Sequence, residues 1–234
     1  MLQKLRTYVH AINARRELKW QAPHLNHDAA GLGSEALVNL LYSARWERFF
    51  WTKQVKAELI GLAAAVERIK PKVVVEIGTN TGGTFFVFTK VADKAANIIS
   101  IDLPGGKGGG GYPEFKTDFF RSFGIADQRL HFIKAASQLP ETYDRVRSIL
   151  QDQPIDFLFI DGDHSYDGVK KDFELYSPLV RKGGLVAFHD IKLYPEDHWI
   201  KVDKFWREIK DNYQHFEYID NRVHWGGIGL LVMK

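Results

Sequence analysis

Val55, Leu59, Leu62, Val66 and Ile69 recur at helical spacing, which predicts an amphipathic helix over residues 54–70 that stops ahead of Pro71. The pattern then changes period. Val73, Val74 and Val75 are β-branched and unbroken, as a strand covered on both faces should be, so residues 72–78 read as a first strand. Further apolar runs predict strands at 95–101, 130–134, 155–161, 185–189, 216–219 and 228–233. Helical stretches fall between the earlier ones, at 84–91, 113–123, 139–150, 166–176 and 201–212. Such alternation predicts an α/β protein, doubly wound, with a mostly parallel sheet and helices on both faces. The last two strands have no helix between them, so a C-terminal antiparallel hairpin is expected. Residues 1–50 precede this pattern and are expected to form a helical appendage, with 51–234 as the main domain. Trp46, Phe49, Phe50 and Trp51 in that leader suit packing or subunit contacts, and self-association through the segment is an expectation.

Composition narrows the class. At 234 residues, with 45% hydrophobic and 26% charged residues, the chain can bury one substantial core. With no cysteine there are no disulfides, thiolate metal sites or cysteine nucleophiles, and a reducing cytoplasm is the expected location. No apolar run approaches the roughly 18 residues needed to span a bilayer. The first twenty residues are basic but lack an apolar core for a secretory signal, so a surface helix is expected there. A net charge of +3 spread along the chain gives no nucleic-acid footprint, since no strand pair interleaves aromatic and basic residues.

The first strand empties into Glu76-Ile77-Gly78-Thr79-Asn80-Thr81-Gly82-Gly83, a glycine turn with a carboxylate beside it. Gly78 lets the backbone turn without a Cβ penalty, and Gly82 allows close approach by a ligand or a helix. The second strand ends on Asp102, where a carboxylate can hold a ribose diol. A dinucleotide fingerprint wants glycine two residues after the first, and Asn80 stands there. That weighs against a nicotinamide-dependent oxidoreductase. Glu76-x-Gly78-x-x-x-Gly82 instead resembles the first motif of the class I S-adenosylmethionine-dependent methyltransferases. The resemblance runs over residues 54–234 and implies a Rossmann-like sheet of seven strands with one reversed. It also implies cofactor contacts at Glu76, Gly78, Thr79, Asn80, Gly82, Asp102, Ser137 and Asp161.

In open parallel sheets ligands bind beyond the carboxyl ends of the strands. Asp161 stands at one such end and Asp190 at another, and in the methyltransferase strand order these strands are neighbours about 4.8 Å apart. Two hard oxygen donors suit Mg²⁺ or a similar divalent cation. Such an ion would make an acceptor hydroxyl nucleophilic towards a sulfonium methyl, with a nearby base to take the proton. His164, three residues after Asp161, is the candidate base, and His189 a third ligand or a second base. Asp163 or Ser165 can instead cap the helix that starts near Tyr166.

Ile160-Asp161-Gly162-Asp163-His164-Ser165-Tyr166 together with Gly183-Gly184-Leu185-Val186-Ala187-Phe188-His189-Asp190 resembles metal-assisted small-molecule O-methyltransferases of the macrocin O-methyltransferase and cephalosporin-hydroxylase-like group. The resemblance implies metal roles for Asp161 and Asp190, a base role for His164 and a small hydroxylated acceptor of sugar or natural-product type. It departs at His189, where relatives of the macrocin type carry an acidic ligand. A non-catalytic nucleoside-binding or scaffold protein is the competing class. The stretch 103–113 concentrates six of the chain's 20 glycines directly after Asp102 and is expected to act as a lid. Asp197, His198 and Trp199 lie in a later loop suited to substrate contacts.

Overall fold

The computed structural model describes residues 2–106, 110–195 and 198–234, with side chains from Asn13 onward. Four helices precede the sheet: α1 (Leu2–Ala29), α2 (Ser34–Leu41), α3 (Glu47–Phe50) and α4 (Lys56–Ile69). Strand β1 (Val73–Ile77) then opens an alternation of α5 (Gly83–Val91), β2 (Asn97–Ile101), α6 (Glu114–Arg121), β3 (Arg129–Ile133), α7 (Pro140–Leu150) and β4 (Ile155–Ile160). It continues through α8 (Tyr166–Tyr176), β5 (Val180–His189) and α9 (Val202–Ile209) to β6 (Gln214–Tyr218) and β7 (Ile228–Val232). The expected helix before β1 does stop ahead of Pro71. Lys70 takes a left-handed φ of 45° and ends α4, because the residue before proline is sterically barred from continuing a helix.

The sheet has seven strands in the order β3-β2-β1-β4-β5-β7-β6. The first five pair in parallel, and β7 runs antiparallel to both β5 and β6. This is the doubly wound sheet with a reversed terminal hairpin that the residue pattern predicts. The order reverses direction between β1 and β4, so the crevice at their carboxyl ends is where a ligand finds room.

Period-two alternation sorts the strand residues into two layers. Val74, Ile98, Phe157, Phe159, Ala187 and Leu230 face one core, which also takes in Phe85, Phe86, Phe88 and Phe120. Val75, Ile99, Ile101, Leu158, Val186 and Phe188 face the other, against Val146, Val169, Phe173 and Phe205. Leu25, Val38, Trp46 and Phe50 of the leader belong to the first core. Trp46 and Phe50 are fully buried, whereas Trp51 is 71% exposed. No described helix is long and apolar enough to cross a membrane.

Strand β5 starts five residues earlier than its apolar run suggests. Arg181, Lys182 and two glycines break the hydrophobic pattern there. Pairing persists because Ile155 meets Val180, a register shift follows, and Arg181 donates to Asp156 at 2.5 Å.

Candidate active site

At the end of β1 the chain turns at Gly78, whose φ is +94°. A Cβ there would sit 2.0 Å from the carbonyl oxygen of Asp161, so only glycine allows β1 and the loop after β4 to approach this closely. Gly78 N–H donates to Ile101 O and Asp161 N–H to Ile77 O, both at 2.8 Å, which stitches the ends of β1, β2 and β4 together. Gly82 then starts α5 at φ +90°, pressed against the ring of Phe120.

A groove of about 280 Å³ opens beside this turn, lined by Gly78, Asn80, Asp102, Ser137, Asp161 and His164. A larger cavity of about 710 Å³ lies between α1 and α6, lined by residues such as Leu18, Pro23 and Phe119, and holds none of the strand-end carboxylates. The smaller groove is therefore the site of interest. Asp102 accepts the backbone N–H of Asn80 on one oxygen and that of Gly111 on the other, the latter at 2.7 Å. Burial raises its pKa, and these two amides oppose the rise by stabilising the carboxylate. A carboxylate has about four lone-pair positions, so these amides leave acceptor capacity for a hydroxyl donor. Of the glycine loop, Gly106 and Gly110 line the groove. Its residues 107–109, and Asp197 in the later loop, lie outside the described residues.

Not every expected cofactor residue reaches the groove. Glu76 is fully buried on the Val74 face of β1, where Thr79 Oγ1 donates to it at 2.6 Å and also meets Ser100 Oγ at 2.7 Å. Thr79 is thus a brace within the turn, and Gly82 packs behind it. Ser137 lines the groove, yet its hydroxyl donates to Asp172 at 2.6 Å and faces α8. Ser165, not Asp163, caps α8 by accepting the Gly168 N–H at 3.1 Å, and Asp163 accepts the Ser165 N–H.

Burial raises the Glu76 carboxyl to about 8, against partial relief from Thr79 and Thr84. Its folded pKa lies above the unfolded one, so its contribution to stability is complete below about 4.5 and is lost as pH rises towards 8. The slope is about 1.4 kcal/mol per pH unit within that window. Glu76→Gln should therefore flatten the fall in melting temperature between pH 5 and 8. Parallel melting curves for the two proteins across that range would contradict this.

Two of the groove residues, Asp161 and His164, converge with Asp190. Asp161, His164 and Asp190 each offer a donor atom, and these atoms lie within 4.8 Å of one another. His164 Nδ1 is 2.8 Å from Asp190 Oδ2, and its Nε2 is 4.0 Å from Asp161 Oδ1. Tyr194 O–H donates to Asp190 Oδ1 at 2.6 Å and in turn accepts the Gly226 N–H at 3.0 Å. Asp190 leaves β5 with φ +64°, a left-handed conformation that aspartate tolerates better than most residues. Burial opposes ionisation of Asp190, but His189, His164 and Tyr194 outweigh it and hold the carboxyl well below its usual range. Burial also opposes charge on His164, and there Asp190 and Asp161 prevail and raise its pKa.

His189 stands apart from the three converging donors. Its Nδ1 lies 3.1 Å from Asp161 Oδ1, while Nε2 is buried with no hydrogen-bond partner among the described residues. Burial works against its protonation, yet Asp161 and Asp190 push its pKa up to about 9. It braces Asp161 from behind. Two further members carry no signal in the sequence: Gln54, whose Nε2 donates to Asp161 Oδ2 at 2.8 Å, and Tyr194. Both reach the carboxylates from segments whose local pattern says only helix start or loop. Trp199 closes one side of the site, its ring 5.2 Å from that of His164.

A family model described as a methyltransferase domain matches residues 75–191, half of the chain, from β1 through Asp190. An uncharacterized protein of Acanthamoeba polyphaga mimivirus is 37% identical over 126 residues, which cover 51% of this chain and 52% of that protein. An uncharacterized protein of Sinorhizobium fredii is 26% identical over 147 residues, 62% of this chain and 16% of that protein. The chain thus spans about half of the first relative and about a sixth of the second. Among solved structures, the O-methyltransferase TomG of Streptomyces achromogenes in complex with SAM superposes with a TM-score of 0.57 at 17% identity, covering 92% of this chain and 98% of that one. An O-methyltransferase of Bacillus cereus in complex with SAH gives 0.52 at 14% identity, over 94% and 90% of the two chains. At such identities the likeness is one of fold. Matched over half its length by the family model and built on this sheet, the chain belongs to the methyltransferase-domain family and has the fold of class I S-adenosylmethionine-dependent methyltransferases.

Proposed function

We propose that this chain transfers the methyl group of S-adenosylmethionine to a hydroxyl of a small molecule of sugar or natural-product type, with a divalent cation held by Asp161 and Asp190. The observation that carries the reading is that Asp161 belongs both to the nucleoside groove and to the three-donor cluster. Cofactor and acceptor would then meet in one small volume, and alignment of an already activated methyl is most of what the reaction needs.

The donor set fits the cation. Two carboxylates, one buried and one half-buried, are hard oxygen donors that suit Mg²⁺ or Mn²⁺, and they leave His164 to handle the proton. A cation bound there would lower the pKa of an acceptor hydroxyl. The protein's own part is to orient and to move a proton. With its Nδ1–H donated to Asp190, His164 presents Nε2 as an acceptor for the hydroxyl proton, and the aspartate stabilises the resulting imidazolium. Asp102 holds the ribose hydroxyls, and Trp199 limits access of water beside His164. Zero cysteines fit a reducing compartment, and a cytoplasmic reaction is part of the proposal.

Calorimetric titration with S-adenosylmethionine, with and without Mn²⁺ or Mg²⁺, tests the reading. Wild type should bind the cofactor, and Asp102→Ala should weaken it about 10- to 100-fold, the worth of hydrogen bonds to a charged group. Absence of binding, or a preference for NAD, removes the proposal. Cofactor binding without methyl transfer to any member of a hydroxylated library would favour the non-catalytic nucleoside-binding alternative.

A further inference from the structure

Asp161 is held from two sides. Gln54 Nε2 reaches Oδ2 at 2.8 Å, and His189 Nδ1 reaches Oδ1 at 3.1 Å. Two donors on opposite oxygens fix the plane of a carboxylate, and a donor on only one leaves it free to swing. Gln54 is the neutral member of the pair, so it orients without adding charge beside His164 and His189.

Gln54 is itself fixed. It is 6% exposed, and its backbone carbonyl accepts Tyr42 O–H at 2.6 Å. Two residues away, Thr52 packs against Gly83 at the start of α5, where a Cβ on the glycine would lie 2.3 Å from Thr52 Oγ1. The segment between α3 and α4 is thus tied to α2 on one side and to the cofactor turn on the other. The amide can point only one way, since the reverse orientation would set its oxygen against a carboxylate oxygen.

That orientation leaves Gln54 Oε1 buried without a hydrogen-bond partner among the described residues. An unpaired buried acceptor is destabilising by about 1–3 kcal/mol, which is tolerable where a donor arrives with a ligand. An O–H donor next to a cation-binding carboxylate has the chemistry of a water carried by the metal.

We propose that Gln54 is a positioning residue for the cation: Nε2 sets the Asp161 carboxylate, and Oε1 receives a water of the bound ion's hydration shell. The inference rests on the metal-assisted reading above, and it assigns to a residue outside the family-matched segment a part in the affinity of the site. Metal ligands depend on such outer partners, whose loss weakens metal binding about 10- to 100-fold.

Mn²⁺ binding to the full chain, followed by loss of the free-ion electron paramagnetic resonance signal, is the direct test. It is set beside calorimetry with S-adenosylmethionine. Gln54→Met, of similar volume, should weaken Mn²⁺ at least tenfold and leave cofactor affinity within about threefold. A merely structural role would move both together or neither. Tyr42→Phe removes only the hydroxyl that holds the Gln54 carbonyl and should weaken Mn²⁺ about threefold, short of the loss of the amide itself. Unchanged Mn²⁺ affinity in folded Gln54→Met overturns the inference. Should that variant not fold, unchanged affinity in Tyr42→Phe overturns it. Wild type that binds S-adenosylmethionine but no Mn²⁺ would remove the metal-assisted reading and this inference with it, whereas Mn²⁺ binding equal in wild type and variants removes this inference alone.

Discussion

Asp190→Asn should lower kcat for methyl transfer about 10³-fold while S-adenosylmethionine affinity changes less than threefold. The substitution keeps the shape of the side chain and the bond from Tyr194, because Oδ1 can still accept that hydroxyl. It replaces Oδ2 by an NH₂ group that faces His164 Nδ1 at 2.8 Å. Two donors cannot share that contact, so the imidazole must present Nδ1 as the acceptor and carry its proton on Nε2. The nitrogen meant to take the acceptor's proton is then already protonated. On the metal-assisted proposal, the lost charge also removes one of the two carboxylates that would hold the cation. Asp190 is not among the residues that line the nucleoside groove, which is why cofactor affinity is spared. The measurement is methyl transfer from radiolabelled cofactor to an acceptor found by screening a hydroxylated library. A kcat within tenfold of wild type would show that the His164–Asp190 pair has no part in the reaction.

The strand tips are legible in the sequence because their signals are local. Val73 to Val75 run into Gly78, and the fourth and fifth strands end on Asp161 and Asp190, each an apolar run stopped by a carboxylate. What sequence could not supply is which face of a strand a polar residue takes. Glu76 belongs to the glycine motif by spacing, yet alternation puts it with Val74, on the side of Thr79 and Ser100 and away from the groove. The supports of the site were hidden for a different reason. Gln54 is 107 residues from Asp161 in sequence, and Glu58, which accepts the N–H groups of Asp220 and Gly227, is 162 and 169 residues from its partners. No short-range pattern records such contacts. The first half of β5 carries no apolar signal because Arg181 and Lys182 interrupt it, although pairing with β4 and the ion pair to Asp156 are enough to hold it.

Gly78→Ala should destabilise the protein by about 3 kcal/mol or more and abolish measurable cofactor binding. Two separate effects add. The first is conformational: at φ +94° a residue with a Cβ is strained by roughly 1–2 kcal/mol whatever its surroundings. The second is steric, and it decides the outcome. The new methyl would lie 2.0 Å from Asp161 O, 2.5 Å from its carbonyl carbon and 2.9 Å from Gly162 N. All three are backbone atoms, so no side chain can rotate away, and the loop after β4 must retreat from β1. That retreat breaks the 2.8 Å bond from Asp161 N–H to Ile77 O and displaces the one carboxylate that belongs to both the groove and the three-donor cluster. Gly31→Ala separates the two effects, since Gly31 has φ +74° but nothing within 4 Å of the added atom. It should lower stability by about 1 kcal/mol, roughly 2–4 °C in Tm for a chain of this size, with cofactor affinity unchanged. Gly78→Ala should lower Tm by about 6–12 °C on the same scale. Equal shifts in the two variants would mean that backbone strain alone governs the turn, and that the close approach of β1 to the Asp161 loop is not what shapes the site.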